Sequence, residues 1–338
     1  MKRIDLENHF ATTAWVDAMF ANTEAYPRLE KAPDGNVRMY YMPGVWIPFY
    51  ETKLSDLGEG RIKAMDEAGV DVAVLSLAAP GTEPFGPSLG TRLAKNTNDL
   101  VAETVAKYPA RFMGYASLAP KDPDSAVKEF ERCVKELGFV GWNTHSNFGD
   151  SYLDERRYWP LLAKAEELDV PIYIHPTVPI IPQLLTYGMG LAGPSFGFGT
   201  ETAMVMMRLI VSGAFDAFPK LKIILGHYGE GLPFMLDRVS RPYLQGHIRT
   251  DPSVAPPLKR LPGDYLKDNM FVSTSGNYSD EAFVCAKNAL GMDKMVLGTD
   301  YPFEDMKVCM DFLESRAITA SDKAQLYTGT PGSLGISV

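Results

Sequence analysis

The sequence predicts an α/β fold: a (β/α)8 TIM barrel forming a single domain over residues 1–338, with long loops after strands 1 and 5. Three observations predict it. Short β-rich runs alternate with longer segments of helical spacing, there are eight such runs, and no linker or low-complexity stretch divides the chain. Short apolar strands joined by helical crossovers make a parallel sheet, and eight of them suffice to close it.

In chain order, the candidate strands are 3–7, 71–77, 112–117, 139–143, Ile172–His175, 222–226, Met270–Ser273 and 295–298. Helical spacing of apolar residues is plain in 122–137 and 157–168. Segment 11–52 is rich in Tyr and Trp and carries Pro43 and Pro48, and segment 177–200 is rich in Gly and Pro. Each follows a strand and is too long for a simple connection. Both therefore belong at the C-terminal face of the strands, where long loops tend to carry function.

With 338 residues, 46% of them hydrophobic and 22% charged, the chain is of globular type and can bury a large core. A net charge of −9 and the lack of a basic run argue against nucleic-acid or anionic-membrane partners. The apolar stretch 177–199 is broken by Pro and Gly, so it is no membrane span. Cys133, Cys285 and Cys309 lie far apart without a CxxC pair, which fits a reducing compartment rather than a disulfide framework. The opening MKRIDLENHF has no apolar signal core, so a cytoplasmic location is expected.

Polar residues then fall where this fold concentrates chemistry. Strand 1 ends at Glu7 with His9 two residues on, strand 5 at His175 in YIHP, strand 6 at His227 in ILGHYGE, and strand 8 at Asp300 in VLGTDYPFE. C-terminal strand ends converge on one mouth. Glu7 and His9 have the period-two spacing that puts both on one strand face. Imidazole nitrogen and carboxylate oxygen are ligands for zinc, manganese or ferrous iron. Glu7, His9, His175 and Asp300 thus offer two nitrogens and two oxygens for one divalent ion.

The motifs ExHF at 7–10, YIHP at 173–176, GHYGEGLPFMLDR at 226–238, STSGN at 273–277 and GTDYPFE at 298–304 are together similar to the decarboxylase branch of the amidohydrolase superfamily. That branch includes γ-resorcylate (2,6-dihydroxybenzoate), 2,3-dihydroxybenzoate and 5-carboxyvanillate decarboxylases. The resemblance runs nearly end to end. It implies one divalent metal on Glu7, His9, His175 and Asp300, zinc or manganese with magnesium as a further candidate, and no organic cofactor. It also implies a His227–Glu230 dyad beside the metal, and an Arg238 that reaches substrate across a subunit interface in a homodimer or homotetramer. Strand 4 reads FVGWNTH and lacks the lysine that bridges two metals in other members, which favours a single ion. His9 resembles the resorcylate enzymes and weighs against the 5-carboxyvanillate type, whereas NTHSNFGDSYLDE at 143–155 resembles the latter.

The expected reaction is loss of CO2 from a small aromatic carboxylic acid. A metal would chelate its carboxylate and an ortho oxygen, and an acid would protonate the ring carbon. Asp300 is the candidate acid, which calls for a pKa moved toward neutrality. His227 would orient or move the proton of a substrate oxygen, with Glu230 fixing its tautomer. Phe10, Tyr301, Phe303, Trp46 and Phe196 are candidate ring walls. Arg38 either meets a second anionic group or is an exposed loop arginine, His145 either touches substrate or is a polar loop residue, and His247 receives no role. The alternatives are a lactonase-type hydrolase on the same scaffold, with Asp300 as base, and a non-catalytic binding barrel.

Overall fold

The structure, a computed structural model, describes residues 1–23, 25–248 and 251–337. Its strands are β1 (Ile4–Phe10), β2 (Arg28–Lys31), β3 (Val37–Met42), β4 (Val45–Pro48), β5 (Val72–Leu77), β6 (Phe112–Gly114), β7 (Trp142–His145), β8 (Ile172–His175), β9 (Ile223–Leu225), β10 (Met270–Ser273) and β11 (Met295–Val296). They form a three-stranded sheet ordered β1-β5-β6, a five-stranded sheet ordered β11-β10-β9-β8-β7, and a separate sheet ordered β2-β3-β4. The first two are parallel and the third is antiparallel. Every residue of β5, VAVLSL, is buried, as expected of a strand covered on both faces.

Backbone hydrogen bonds cross both seams between the parallel sheets. On one side Ala116 N donates to Gly141 O at 2.8 Å and Val140 N to Gly114 O at 3.0 Å. On the other, Leu6 N donates to Leu297 O at 2.9 Å, Asp300 N to Glu7 O at 3.0 Å and His9 N to Tyr301 O at 2.7 Å.

The helices between the strands follow from sequence chemistry. In Pro123–Lys135 the Asp122 side chain accepts from Ser125 N at 3.3 Å, proline opens the first turn, and Ala126, Phe130 and Cys133 form the buried stripe. In Asp280–Leu290 the Ser279 hydroxyl caps Ala282 N at 3.2 Å, and Asp280 and Glu281 sit in the electropositive first turn. The core divides accordingly. A large cluster lies between strands and helices, and a smaller one, with Ile4, Leu6, Val72, Val74, Tyr173 and Val296, fills the opposite strand face.

Three features depart from the sequence reading. Segment 11–52 is no loop: it holds the helix Thr13–Ala21, the β2-β3-β4 sheet and the helix Glu51–Ser55. Mixed polar and aromatic residues there hide the strands, because an antiparallel sheet half open to water needs only one apolar face. Segment 177–200 likewise carries the short helices Pro182–Leu185 and Met189–Ala192 and the start of Gly197–Val211.

The third departure is a bulge in β1. Asp5 pairs with Ala73 and Asn8 with Leu75, so β1 advances three residues while β5 advances two. One extra residue turns the following side chains onto the other face. Before the bulge Ile4 and Leu6 face the smaller cluster; after it, Glu7 and His9 do, with His9 opposite Ser76. Asp5 pins the irregularity. Its fully buried carboxylate accepts from Glu7 N and Thr299 N at 3.0 Å each, Asn8 Nδ2 at 2.8 Å and Thr299 Oγ1 at 2.6 Å. Buried Arg61 donates to Asn8 Oδ1 and to the His9 carbonyl, which holds the same strand from behind.

Candidate active site

The ends of β1 and β8 and the turn after β11 bring Glu7, His9, His175 and Asp300 together. One ligand atom from each lies within 4.8 Å of all the others, and all four residues are buried. His9 Nε2 and His175 Nε2 stand 3.0 and 3.3 Å from Asp300 Oδ1, and His175 Nε2 is 3.6 Å from Glu7 Oε1. Each imidazole is anchored through its other nitrogen. His175 Nδ1 lies 2.8 Å from the Pro176 carbonyl, a pure acceptor, so Nδ1 carries the proton and Nε2 offers its lone pair inward. His9 Nδ1 meets Ser76 Oγ at 3.0 Å. Glu7 Oε2 accepts from Ser273 Oγ at 2.6 Å, and Tyr173 OH donates to the same serine at 3.0 Å.

Within this group two buried atoms, Glu7 Oε1 and His9 Nε2, have no hydrogen-bond partner among the described residues. The His9 nitrogen is 3.0 Å from Asp300 Oδ1, but the contact is misaligned for a hydrogen bond. Orphaned polar atoms this deep are costly, and both turn toward the same point. A divalent cation satisfies them together with His175 and Asp300, so the residues fit one metal ion.

Burial, reinforced by the nearby His175, lowers the His9 pKa to about 4, which keeps its ring neutral and able to ligate. For Asp300, burial alone would raise the pKa. The neighbouring imidazoles of His175, His227 and His9 outweigh it and hold the carboxyl well below the usual range. This is opposite to the shift expected from sequence, because three imidazoles surround the carboxylate. For His227, burial alone would lower the pKa. The charge of Glu230, its hydrogen bond and the nearby Asp300 carboxylate overcome it and raise the pKa well above the ordinary histidine value. Nδ1 of His227 lies 2.7 Å from Glu230 Oε1, and its Nε2 is 3.7 Å from Asp300 Oδ2 and 3.9 Å from Glu7 Oε1.

Backbone strain concentrates here. His227, Tyr228, Glu230 and Asp300 all have positive φ, between 51° and 58°, at about 1–3 kcal/mol each for non-glycine residues. Two glycines are required by close approach. A Cβ at Gly276 would lie 2.4 Å from the His227 ring, and one at Gly298 would lie 2.5 Å from Glu7 Oε2.

The metal group borders a cavity of about 400 Å³, which His175, His227, Glu230, Asp300 and Phe303 help to line. Other expected contacts lie elsewhere. Phe10 is buried in the main core and Tyr301 faces the Arg61 guanidinium, because each follows an inward-facing residue and so points outward. Arg38 pairs with Asp34 at 2.5 Å and stacks on Trp46 at 4.0 Å on the antiparallel sheet, outside the cavity. Phe196 is 55% exposed, and Phe198 lines the cavity instead. His145 is buried against Glu83 at 3.1 Å, with its ring 6.1 Å from that of His175 and its Nε2 unpartnered. Arg238 lies exposed on the helix Leu236–Leu244 and does not reach its own chain's cavity. Sequence reasoning missed Tyr41, Ile47, Pro48 and Tyr50, which the antiparallel sheet and its end carry into the cavity, and also Asn277 and Glu304. Only Asn277 and Glu304 had a sequence signal, since both sit inside motifs already singled out.

The chain matches the amidohydrolase family over residues 4–334 and belongs to it. It is 36% identical over 343 residues to γ-resorcylate decarboxylase of Polaromonas sp. (strain JS666), covering 98% of each chain. Among solved structures, 5-carboxyvanillate decarboxylase from Sphingomonas paucimobilis superposes with a TM-score of 0.89 at 32% identity, covering 99% of both chains. The dihydroxybenzoic acid decarboxylase of Polaromonas sp. JS666, solved with manganese and the inhibitor 2-nitroresorcinol, gives 0.83 at 35% identity, covering 99% of this chain and 97% of that one.

Proposed function

We propose that this chain is a carboxy-lyase that removes CO2 from a hydroxylated benzoate, using one divalent metal ion held by Glu7, His9, His175 and Asp300. The observation that carries the reading is the meeting of these four ligand atoms within 4.8 Å at the edge of a cavity, with two of them otherwise orphaned. Manganese in the related dihydroxybenzoate enzyme supports the choice of ion. Part of the same reading is that the two parallel sheets close through their hydrogen-bonded seams into one (β/α)8 barrel domain spanning 1–338. Among the described residues no helix is long and apolar enough to cross a membrane. The free cysteines Cys133, Cys285 and Cys309 are in keeping with a cytoplasmic location.

When bound, the ion would supply Lewis-acid stabilisation of charge on the substrate's oxygens. The chain's own residues manage the proton. His227, held as an imidazolium by Glu230, stores it 3.7 Å from Asp300 Oδ2. Asp300 receives it and passes it to the ring carbon that bears the carboxylate. A carboxyl with a low pKa is a poor reservoir but a strong acid, so the relay divides the two tasks. As the new C–H bond forms, the ring loses aromaticity. The C–CO2 bond then breaks, its electron pair restores the aromatic ring, and CO2 departs. The test is a mass-spectrometric screen of hydroxybenzoates with metal-loaded protein. CO2 release from at least one is expected, and hydrolysis of a lactone without any CO2 release would replace the reading with the hydrolase.

Elemental analysis of the purified, metal-loaded protein is expected to approach one manganese or zinc per chain; two tightly held ions would contradict the ligand set. A homodimer or homotetramer also belongs to this proposal. The helix Leu236–Leu244 buries none of its residues, and Phe234, at 85% exposure, and Leu244, at 68%, leave apolar surface beside Arg238. Light scattering is expected to give a multiple of 37.3 kDa, reduced to the monomer by Phe234→Asp. A fully active monomer at micromolar concentration would exclude it.

A further inference from the structure

Accepting the decarboxylase reading, we propose that Glu304 selects the substrate by accepting a hydrogen bond from a second donor group on the ring, a hydroxyl or an amine, and so restricts the enzyme to acids with a single carboxylate.

The argument begins with the charges around the cavity. Among the described residues of one chain no Lys or Arg lines it, so any cation there would have to come from a second copy, whereas Glu230, Asp300 and Glu304 do line it. Two of these acids are already engaged, Glu230 by His227 at 2.7 Å and Asp300 by His9 and His175 at 3.0 and 3.3 Å. Among the described residues no side chain makes an ion pair or an aligned hydrogen bond with the Glu304 carboxylate. The Tyr278 hydroxyl lies beside it, buried and itself without an aligned partner. The backbone fixes its place, since Phe303 N and Glu304 N donate to the Asp300 carbonyl at 2.9 and 3.1 Å, a tight turn that returns the chain to the cavity.

The other groups that line the cavity differ from Glu304 in kind: Tyr41, Tyr50 and Asn277 are neutral and donate as well as accept. Ile47, Pro48, Phe198 and Phe303 are apolar, and a ring slides between them without orientation. The positive charge of the ion and of His227 serves the carboxylate that leaves. A partly buried acceptor in such a cavity selects by what it would lose. A donor on the ring satisfies it, a methyl ether leaves it unpaired, and a second carboxylate brings like charges together. Sites built to bond a substrate hydroxyl discriminate strongly against analogues that lack it. Sequence motifs alone point both to resorcylate-type and to carboxyvanillate-type substrates. Glu304 decides for the former, a ring with one carboxylate and a further hydroxyl.

The experiment compares the metal-loaded enzyme with Glu304→Gln and Glu304→Ala. The substrates are 2-hydroxybenzoates that carry hydroxyl, amino, methoxy or carboxylate at each remaining ring position. For the parent, kcat/KM for CO2 release is expected to favour hydroxyl over methoxy by about 10-fold or more at one position, with the dicarboxylate poorest. Glu304→Ala brings hydroxyl and methoxy within a few-fold of each other, and Glu304→Gln raises the dicarboxylate. The same series of 2-nitrophenols, in which nitro replaces the departing carboxylate, is measured by calorimetry, so that Glu304 is read through Kd even without turnover. Unchanged hydroxyl-to-methoxy ratios in both assays, or a parent that prefers the dicarboxylate, would overturn the proposal. If the parent releases CO2 from none of the acids while the nitrophenols still discriminate through Glu304, it is the activity reading that fails.

Discussion

Asp300→Asn is expected to retain its metal and to bind a nitrophenol analogue nearly as well as the parent, yet to release CO2 about 10²–10⁴ times more slowly, the usual loss on removing a general acid. The amide keeps the shape and one ligand oxygen but cannot carry the proton from His227 to the ring. In the parent, Asp300 Oδ1 faces both ligand imidazoles while Oδ2 lies 3.7 Å from His227 Nε2, so one carboxyl group spans the metal side and the proton side of the site. The check is turnover at confirmed metal occupancy, with deuterium incorporation at the vacated carbon followed in D2O. Decarboxylation within a few-fold of the parent would remove Asp300 from the proton path and leave His227 to act on the ring directly.

His175→Ala is expected to lose most of its metal and to lower turnover by more than about 100-fold, the upper end of what loss of an outer-shell partner costs. Its melting temperature should stay close to that of the parent. His175 closes β8 at the mouth, whereas the side chains that hold the sheets together, such as Ile172 and Ile174, lie below it. Elemental analysis and thermal unfolding on the same preparation check both halves. Full metal with full turnover would refute the ligand assignment. Unfolding along with the loss of metal would show that the ion also holds the fold.

The metal group was legible in the sequence because polar residues at the ends of buried apolar strands have few other reasons to be there. YIHP and GTD stand out for that reason, and so does the glutamate–histidine pair at positions 7 and 9. The bulge that turns this pair inward was not legible. Simple alternation with Ile4 and Leu6 would have sent Glu7 and His9 outward, and the correcting element, the Asp5 carboxylate bound to Thr299, is a contact across nearly the whole chain. Phe10 and Tyr301 were misread although the information was present, since neighbours of inward residues on a strand face outward. The direction of the Asp300 shift depended on how many imidazoles surround it, which only three dimensions reveal. The β2-β3-β4 sheet stayed hidden because its residues have no single period that outweighs their mixed polarity.

That small sheet separates two responsibilities within one cavity. The residues proposed to hold the metal and to move the proton stand at the ends of the parallel strands, while Tyr41, Ile47 and Pro48 reach the same cavity from an antiparallel appendage inserted between β1 and β5. Part of the wall around the cavity is thus written in a different stretch of chain from the proposed ligands. Change in residues 28–48 can recut the binding space without disturbing a catalytic group, so a lineage can explore new aromatic acids by editing a module that the chemistry does not depend on.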